Sequence, residues 1–194
     1  DFKGAETDYS ESLKINSQFE WSYIMRAYMK SNAGNHISAI EDFDNAIRID
    51  PKKDYLFNSR GFSKAQTGDY IGAIKDLSSS LSLNPNNAQT YNSRGYYKTQ
   101  MGNFKGALSD YSAAIDINPL EPENYISRGW TYFNLGDYKK SNLDYEKVAD
   151  IGDPIQKLDS IIYLMDNKLI LSNLSKLPEL IKKAKLLLNQ SDNK

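Results

Sequence analysis

No cysteine occurs in these 194 residues, which excludes a disulfide framework and any thiolate metal site. A chain without thiols suits reducing and oxidising compartments equally, so the compartment stays open. Histidine is almost as scarce. A single one, His36, leaves no multi-histidine metal site and no basis for a histidine-dependent triad. Long apolar runs are missing too. The longest, Ile161 to Met165, is far shorter than the roughly 20 residues that span a bilayer, and no signal peptide is visible. Excess charge of one sign is also absent. With 24 basic and 25 acidic residues the net charge is −1, whereas a protein that neutralises nucleic-acid phosphates carries a basic face. What remains is the composition of a folded chain, 40% apolar and 25% charged,.

That composition is periodic. NSRGFSKAQTGDY at residues 58–70 returns as NSRGYYKTQMGNF at 92–104, a step of 34 residues, and a fixed step of this size marks a repeat architecture. Gly34, Gly68, Gly102 and Gly136 keep the step, as do Pro51, Pro85 and Pro119. Arg26, Arg60, Arg94 and Arg128 keep it as well, each followed by Ala27, Gly61, Gly95 or Gly129. A further series runs Ala39, Ala73, Ala107 and Ser141, and another Phe43, Leu77, Tyr111 and Tyr145. Each unit reads as two helices. In the third, a first helix from about Ala88 to Gln100 ends at Gly102, because glycine accepts the left-handed conformation of a helix C-terminus. Asn103, like Asn35, Asp69 and Asp137 in the other units, suits the N-cap of the second helix. That helix carries Ala107, Tyr111, Ala114 and Ile115 on one face and stops at Asn118–Pro119. Gly95 and Ala107 are small enough to let the two helices approach closely.

This pattern resembles the tetratricopeptide repeat. Units 20–53, 54–87, 88–121 and 122–155 share the early aromatic, the small residue, the inter-helix glycine, and the Ala, aromatic, Ala and Pro of the second helix. Arg precedes the first small residue in all four, where the family has an apolar one. The fourth unit departs at Ser141, Val148 and Asp153, as an array does near its end. DFKGAETDYS at the start aligns with NFKGALSDYS at 103–112, so residues 1–16 are expected to be the second helix of a truncated upstream repeat. Its Phe2, Ala5 and Tyr9 would be uncovered on one side and invite self-association. Residues 156–194 are expected to form a C-terminal helical cap, with one helix through Ile155, Leu158, Ile161 and Met165. A last one would start at Pro178, its Lys182, Lys183 and Lys185 outward. A cap covers the terminal repeat; the other reading, a basic helix on an anionic membrane, is disfavoured by the short lysine face. The resemblance implies an all-α, right-handed superhelical solenoid of stacked antiparallel helix pairs.

The sequence holds no phosphate-binding glycine loop, no cofactor motif and no metal-ligand cluster. His36 aligns with Tyr70, Phe104 and Tyr138, a packing position. Asp8, Asp42, Asp76, Asp110 and Asp144 recur at the same step, which suits a repeated Arg–Asp contact within or between units, with Arg94 reaching Asp76 or Asp110, better than a catalytic acid. A non-catalytic protein is therefore expected. The concave face of such a superhelix is lined by first helices. There the resemblance and helical spacing place Trp21, Ile24, Tyr28 and Ser31; Tyr55, Asn58, Phe62 and Ala65; Gln89, Asn92, Tyr96 and Thr99; and Glu123, Ile126, Trp130 and Phe133. Trp21, Tyr28, Tyr55, Asn58, Phe62, Asn92, Tyr96, Trp130 and Phe133 are the candidate partner-binding residues. Rings give contact area at small entropic cost, and Asn58 and Asn92 can pair with peptide amides. The other reading of the row Tyr28, Phe62, Tyr96 and Trp130 is packing between repeats. The family's carboxylate clamp for heat-shock chaperone tails needs Lys, Asn and Arg. The corresponding places hold Ile24, Tyr28, Ser59, Gln89 and Ser93, or one unit on, Asn58, Phe62, Ser93, Glu123 and Ser127, so the clamp is absent. The expected function is an adaptor binding a protein or peptide ligand in this groove. The alternative is an architectural segment that homo-oligomerises without a ligand. Nucleic acid and membrane are not expected partners.

Overall fold

A computed structural model describes residues 2–151. The C-terminal segment expected over 156–194, and the end of the fourth unit, lie outside the described residues. Nine helices and no strand make up the described part. The chain divides into two compact units, residues 1–103 and 104–194. The first contains α1 (Phe2–Ile15), α2 (Glu20–Asn32), α3 (His36–Ile49), α4 (Asp54–Gln66), α5 (Tyr70–Leu83) and α6 (Ala88–Gln100). The second contains α7 (Phe104–Ile117), α8 (Pro122–Asn134) and α9 (Tyr138–Ile151). Within each unit every helix packs on the next in sequence.

The turns explain the pairing. Gly34, Gly68, Gly102 and Gly136 have φ of 79°, 85°, 73° and 77°, a region open to glycine at no steric cost. Around Gly34 the Gly34 N–H donates to Ser31 O at 3.0 Å and the Asn35 N–H to Lys30 O at 2.8 Å, the double closure of a Schellman motif. The same two bonds recur at Gly68, Gly102 and Gly136. The residue after the glycine then starts the next helix. Asn35, Asp69 and Asp137 accept side-chain bonds from the N–H of Ser38, Gly72 and Lys140 at 3.4, 2.8 and 3.2 Å. One residue thus closes one helix with its backbone and opens the next with its side chain, which forces a tight αα-hairpin.

Asp137 shows the electrostatics of that cap. Its carboxyl is held below the ordinary value, first by the Lys140 ammonium and then by the Lys140 backbone N–H. A depressed carboxyl contributes stability above the unfolded value, near pH ~4, and loses it as pH falls through the native one. Asp137→Asn, which keeps the accepting oxygen but not the charge, is expected to lower the melting temperature slightly at neutral pH and to converge with wild type in acid, which flattens the acid limb,. An acid limb identical to wild type would count against the cap.

Packing follows the repeat. Ala39, Ala73 and Ala107 are fully buried, and Phe43, Leu77, Tyr111 and Tyr145 are 0, 1, 1 and 6% exposed. In the first unit Ile24, Ala27, Phe43, Ala46 and Leu56 form one core cluster, and Ala65, Ala73, Leu77 and Tyr97 another; in the second, Ile115, Tyr125 and Val148 form a third. A Cβ on Gly61 would lie 3.2 Å from Ala73 O and 3.3 Å from Asp76 Cβ, and one on Gly129 3.2 Å from the Tyr145 ring. These glycines are where the paired helices touch.

Beside each contact lies an ion pair. Arg26 Nε and Nη2 donate to Asp42 at 2.8 and 2.6 Å, Arg60 to Asp76 at 2.8 and 2.6 Å, and Arg128 to Asp144 at 2.9 and 2.7 Å. The third nitrogen reaches back to the preceding second helix. Arg26 Nη1 meets Ser10 Oγ at 3.0 Å, Arg60 Nη1 meets Asp44 Oδ1 at 2.6 Å, and Arg94 Nη1 meets Ser78 Oγ at 3.0 Å. Lys30 and Lys64 add a second cation on Asp42 and Asp76 at 2.8 and 2.9 Å. Each guanidinium also lies over a ring one turn earlier, Tyr23, Phe57, Tyr91 or Tyr125, at 5.4–5.8 Å. The arginine that replaces the family's apolar residue therefore packs as one, with its charge answered within the fold. Within the first unit Arg94 donates to Ser78 Oγ and lies over the Tyr91 ring, while Asp76 holds the Arg60 fork.

Candidate partner-binding groove

The first helices α2, α4 and α6 of the first unit present a cavity of about 260 Å³. Tyr28, Ser31 and Asn32 come from α2, Asn58, Ser59 and Phe62 from α4, and Gln89, Ser93 and Tyr97 from α6. Phe43 and Leu77, from the second helices α3 and α5, close its floor. The space exists because serines stand between large rings: Ser31, Ser59 and Ser93 are too short to fill the gap among Tyr28, Phe62 and Tyr97.

No lining side chain is charged. Arg26, Arg60, Lys30 and Lys64 are committed to Asp42, Asp44 and Asp76, so the ion pairs leave the cavity neutral. Burial, with Tyr96 and Tyr70 beside it, pushes the Tyr97 hydroxyl up, which keeps a neutral phenol there. Asn58 Nδ2 donates to the buried Thr90 Oγ1 at 2.6 Å, which fixes the amide. Tyr28 OH and Ser59 Oγ are bonded at 3.0 Å.

The structure separates the residues that the sequence groups. Tyr28, Asn58 and Phe62 line the cavity. Tyr28 is half-buried and set edge-on to Phe43 at 5.4 Å, so this ring packs between helices as well as facing the cavity. Phe62 and Tyr96 are 47% and 50% exposed; Phe62 touches the His36 ring at 6.0 Å and Tyr96 the Tyr97 ring at 5.5 Å. Trp21 and Tyr55 are exposed and Asn92 half-buried. Trp130 and Phe133 belong to the second unit, half-buried and stacked at 5.9 Å, with Tyr138 against Phe133 at 5.3 Å. Ile24 and Ala65, placed on the face by spacing, are instead 2% and 6% exposed and belong to the core. Asn32, Phe43, Leu77 and Tyr97 line the cavity without having been singled out. Phe43 and Leu77 stood out only as members of a 34-residue series, and the gap above them makes them a floor.

Among the described residues no helix is long and apolar enough to cross a membrane, and no group of three His, Cys, Asp or Glu could hold a metal ion.

A helix-pair array with a 34-residue step, glycine turns and first helices around a groove is the architecture of a helical-repeat protein. The family model for the tetratricopeptide repeat matches residues 22–53, 88–119 and 122–151, so these three stretches are tetratricopeptide repeats. No curated protein matches the sequence. Among solved structures, the crystal structure of MamA is similar with a TM-score of 0.76 at 23% identity, covering 77% of this chain and 88% of that one. YrrB, described as a TPR protein with an unusual peptide-binding site, gives 0.72 at 21% identity, with 82% of each chain covered. The first TPR of Spaghetti (RPAP3), bound to the HSP90 peptide SRMEEVD, gives 0.59 at 18% identity, covering 62% of this chain and 96% of that one. At these identities the likeness is one of fold, a solenoid of stacked helix pairs.

Proposed function

We propose that the chain is a non-catalytic adaptor that holds a segment of a partner protein against α2, α4 and α6. The observation that carries this reading is the neutral cavity between three first helices with Phe62 and Tyr96 open beside it. An exposed ring held by neighbouring rings loses little entropy on binding and offers a large contact. The peptide-binding descriptions of YrrB and of the RPAP3 repeat support the same kind of use here.

The test uses Tyr96→Ala, alone and with Phe62→Ala. Both variants are expected to keep helical circular dichroism and most of their melting temperature. Affinity for a partner recovered with the wild-type protein should fall by about 2 kcal/mol or more, as for hot-spot aromatics. Undiminished binding in the double variant would remove the groove from the account and favour a purely architectural segment.

A further inference from the structure

We infer that the groove takes an internal, uncharged stretch of its partner, with one bulky apolar side chain seated in the cavity and the flanking peptide groups held by neutral amides and hydroxyls. The inference rests on the adaptor reading above and names the chemistry of its ligand.

Size points to a single side chain. A cavity near 150 Å³ lined by apolar groups holds benzene, whereas drug-sized ligands take roughly 300–1,000 Å³. The 260 Å³ here admits one branched aliphatic or aromatic side chain and is small for a cofactor. The floor agrees, since Phe43 and Leu77 are 0% and 1% exposed and meet an incoming group with carbon. A charged group there would meet neutral hydroxyls and amides but no opposite charge to offset its lost hydration,.

Charge excludes a chain terminus. A C-terminal carboxylate needs cations, and Arg26, Lys30, Arg60 and Lys64 are already bonded to Asp42, Asp44 or Asp76. An internal stretch brings only neutral N–H and C=O groups. The rim answers those. Asn58 uses one N–H on Thr90, which orients its Oδ1 and second N–H without consuming them. Gln89 and Ser93 line the same cavity and supply a donor and an acceptor each. A fixed Asn58 has already given up its rotamer freedom, so its bond to a peptide costs less.

The experiment screens an immobilised library of acetylated, amidated nonapeptides, randomised at every position, against the whole chain. Fluorescence anisotropy then measures the enriched peptides, with free-acid SRMEEVD as comparator. Neutral peptides with one Leu, Ile, Met or Phe should be enriched. Replacing that residue by Ala or Asp should weaken binding about tenfold or more, and SRMEEVD should not saturate. Ser93→Leu, which fills the cavity, should abolish binding at unchanged circular dichroism. Ser93→Arg should shift the selection toward acidic peptides. Enrichment of acidic peptides by the wild-type chain, saturable binding of SRMEEVD, equal binding by Ser93→Leu, or no enrichment at all would each overturn the inference. None of these decides the adaptor reading, which stands or falls on Phe62 and Tyr96 with the natural partner.

Discussion

Asp76→Ala is expected to cost about 3–5 kcal/mol of folding stability, the usual penalty for removing one partner of a buried ion pair. Asp76 is 2% exposed and accepts both bonds of the Arg60 fork together with the Lys64 ammonium. Removing it takes the carboxylate from Lys64 and leaves Arg60 only the exposed Asp44, at a helix contact where Gly61 leaves no slack. Set against a total of 5–15 kcal/mol for an ordinary domain, this change should nearly unfold the first unit. The same guanidinium supplies its own control. Asp44, bonded to Arg60 Nη1, has a 55% exposed side chain, and serine stands at the equivalent places 10, 78 and 112. Asp44→Ser should therefore cost only about 0.2–1 kcal/mol, as exposed pairs do. Urea melts of the two variants decide the matter. Equal losses would show that burial is not what gives the Asp76 pair its weight.

Phe43→Ala is expected to destabilise by a further class of effect, about 3–5 kcal/mol from lost burial and the void left behind. Phe43 is fully buried, carries Tyr28 edge-on at 5.4 Å and floors the cavity. Truncating it removes a ring from the first core cluster and enlarges the cavity above. Phe62→Ala, by contrast, trims a ring that is 47% exposed and should cost about 1 kcal/mol or less. Thermal melts of both variants, with binding measured beside them, separate floor from lip. A loss at Phe62 as large as at Phe43 would make Phe62 a core residue and take away the main support of the groove.

The repeat step, the glycine turns and the helix caps are determined by the sequence alone, because each is local backbone chemistry. A glycine at φ near +80° followed by Asn or Asp closes one helix and opens the next wherever it stands. The periodic arginines and aspartates likewise implied a contact, since charges that recur together on paired helices need one another. The sequence could not say that Arg26, Arg60 and Arg128 would each be forked on an aspartate, seated on a ring and tied back to the preceding helix. That depends on three elements meeting at Gly61 or Gly129.

The candidate site was legible only in part. Ile24 and Asn58 occupy equivalent positions, and so do Tyr28, Phe62 and Tyr96, yet Ile24 is core, Tyr28 is wedged against Phe43, and Phe62 and Tyr96 are open. Helical spacing gives the direction of a side chain to within a fraction of a turn. Whether it then meets a neighbour or an opening depends on the volumes contributed by helices distant in sequence. The cavity is a difference of such volumes, serines on α2, α4 and α6 set between the rings of Tyr28, Phe62 and Tyr97. Periodicity records what recurs along one chain, and a gap among several helices is decided only where they come together.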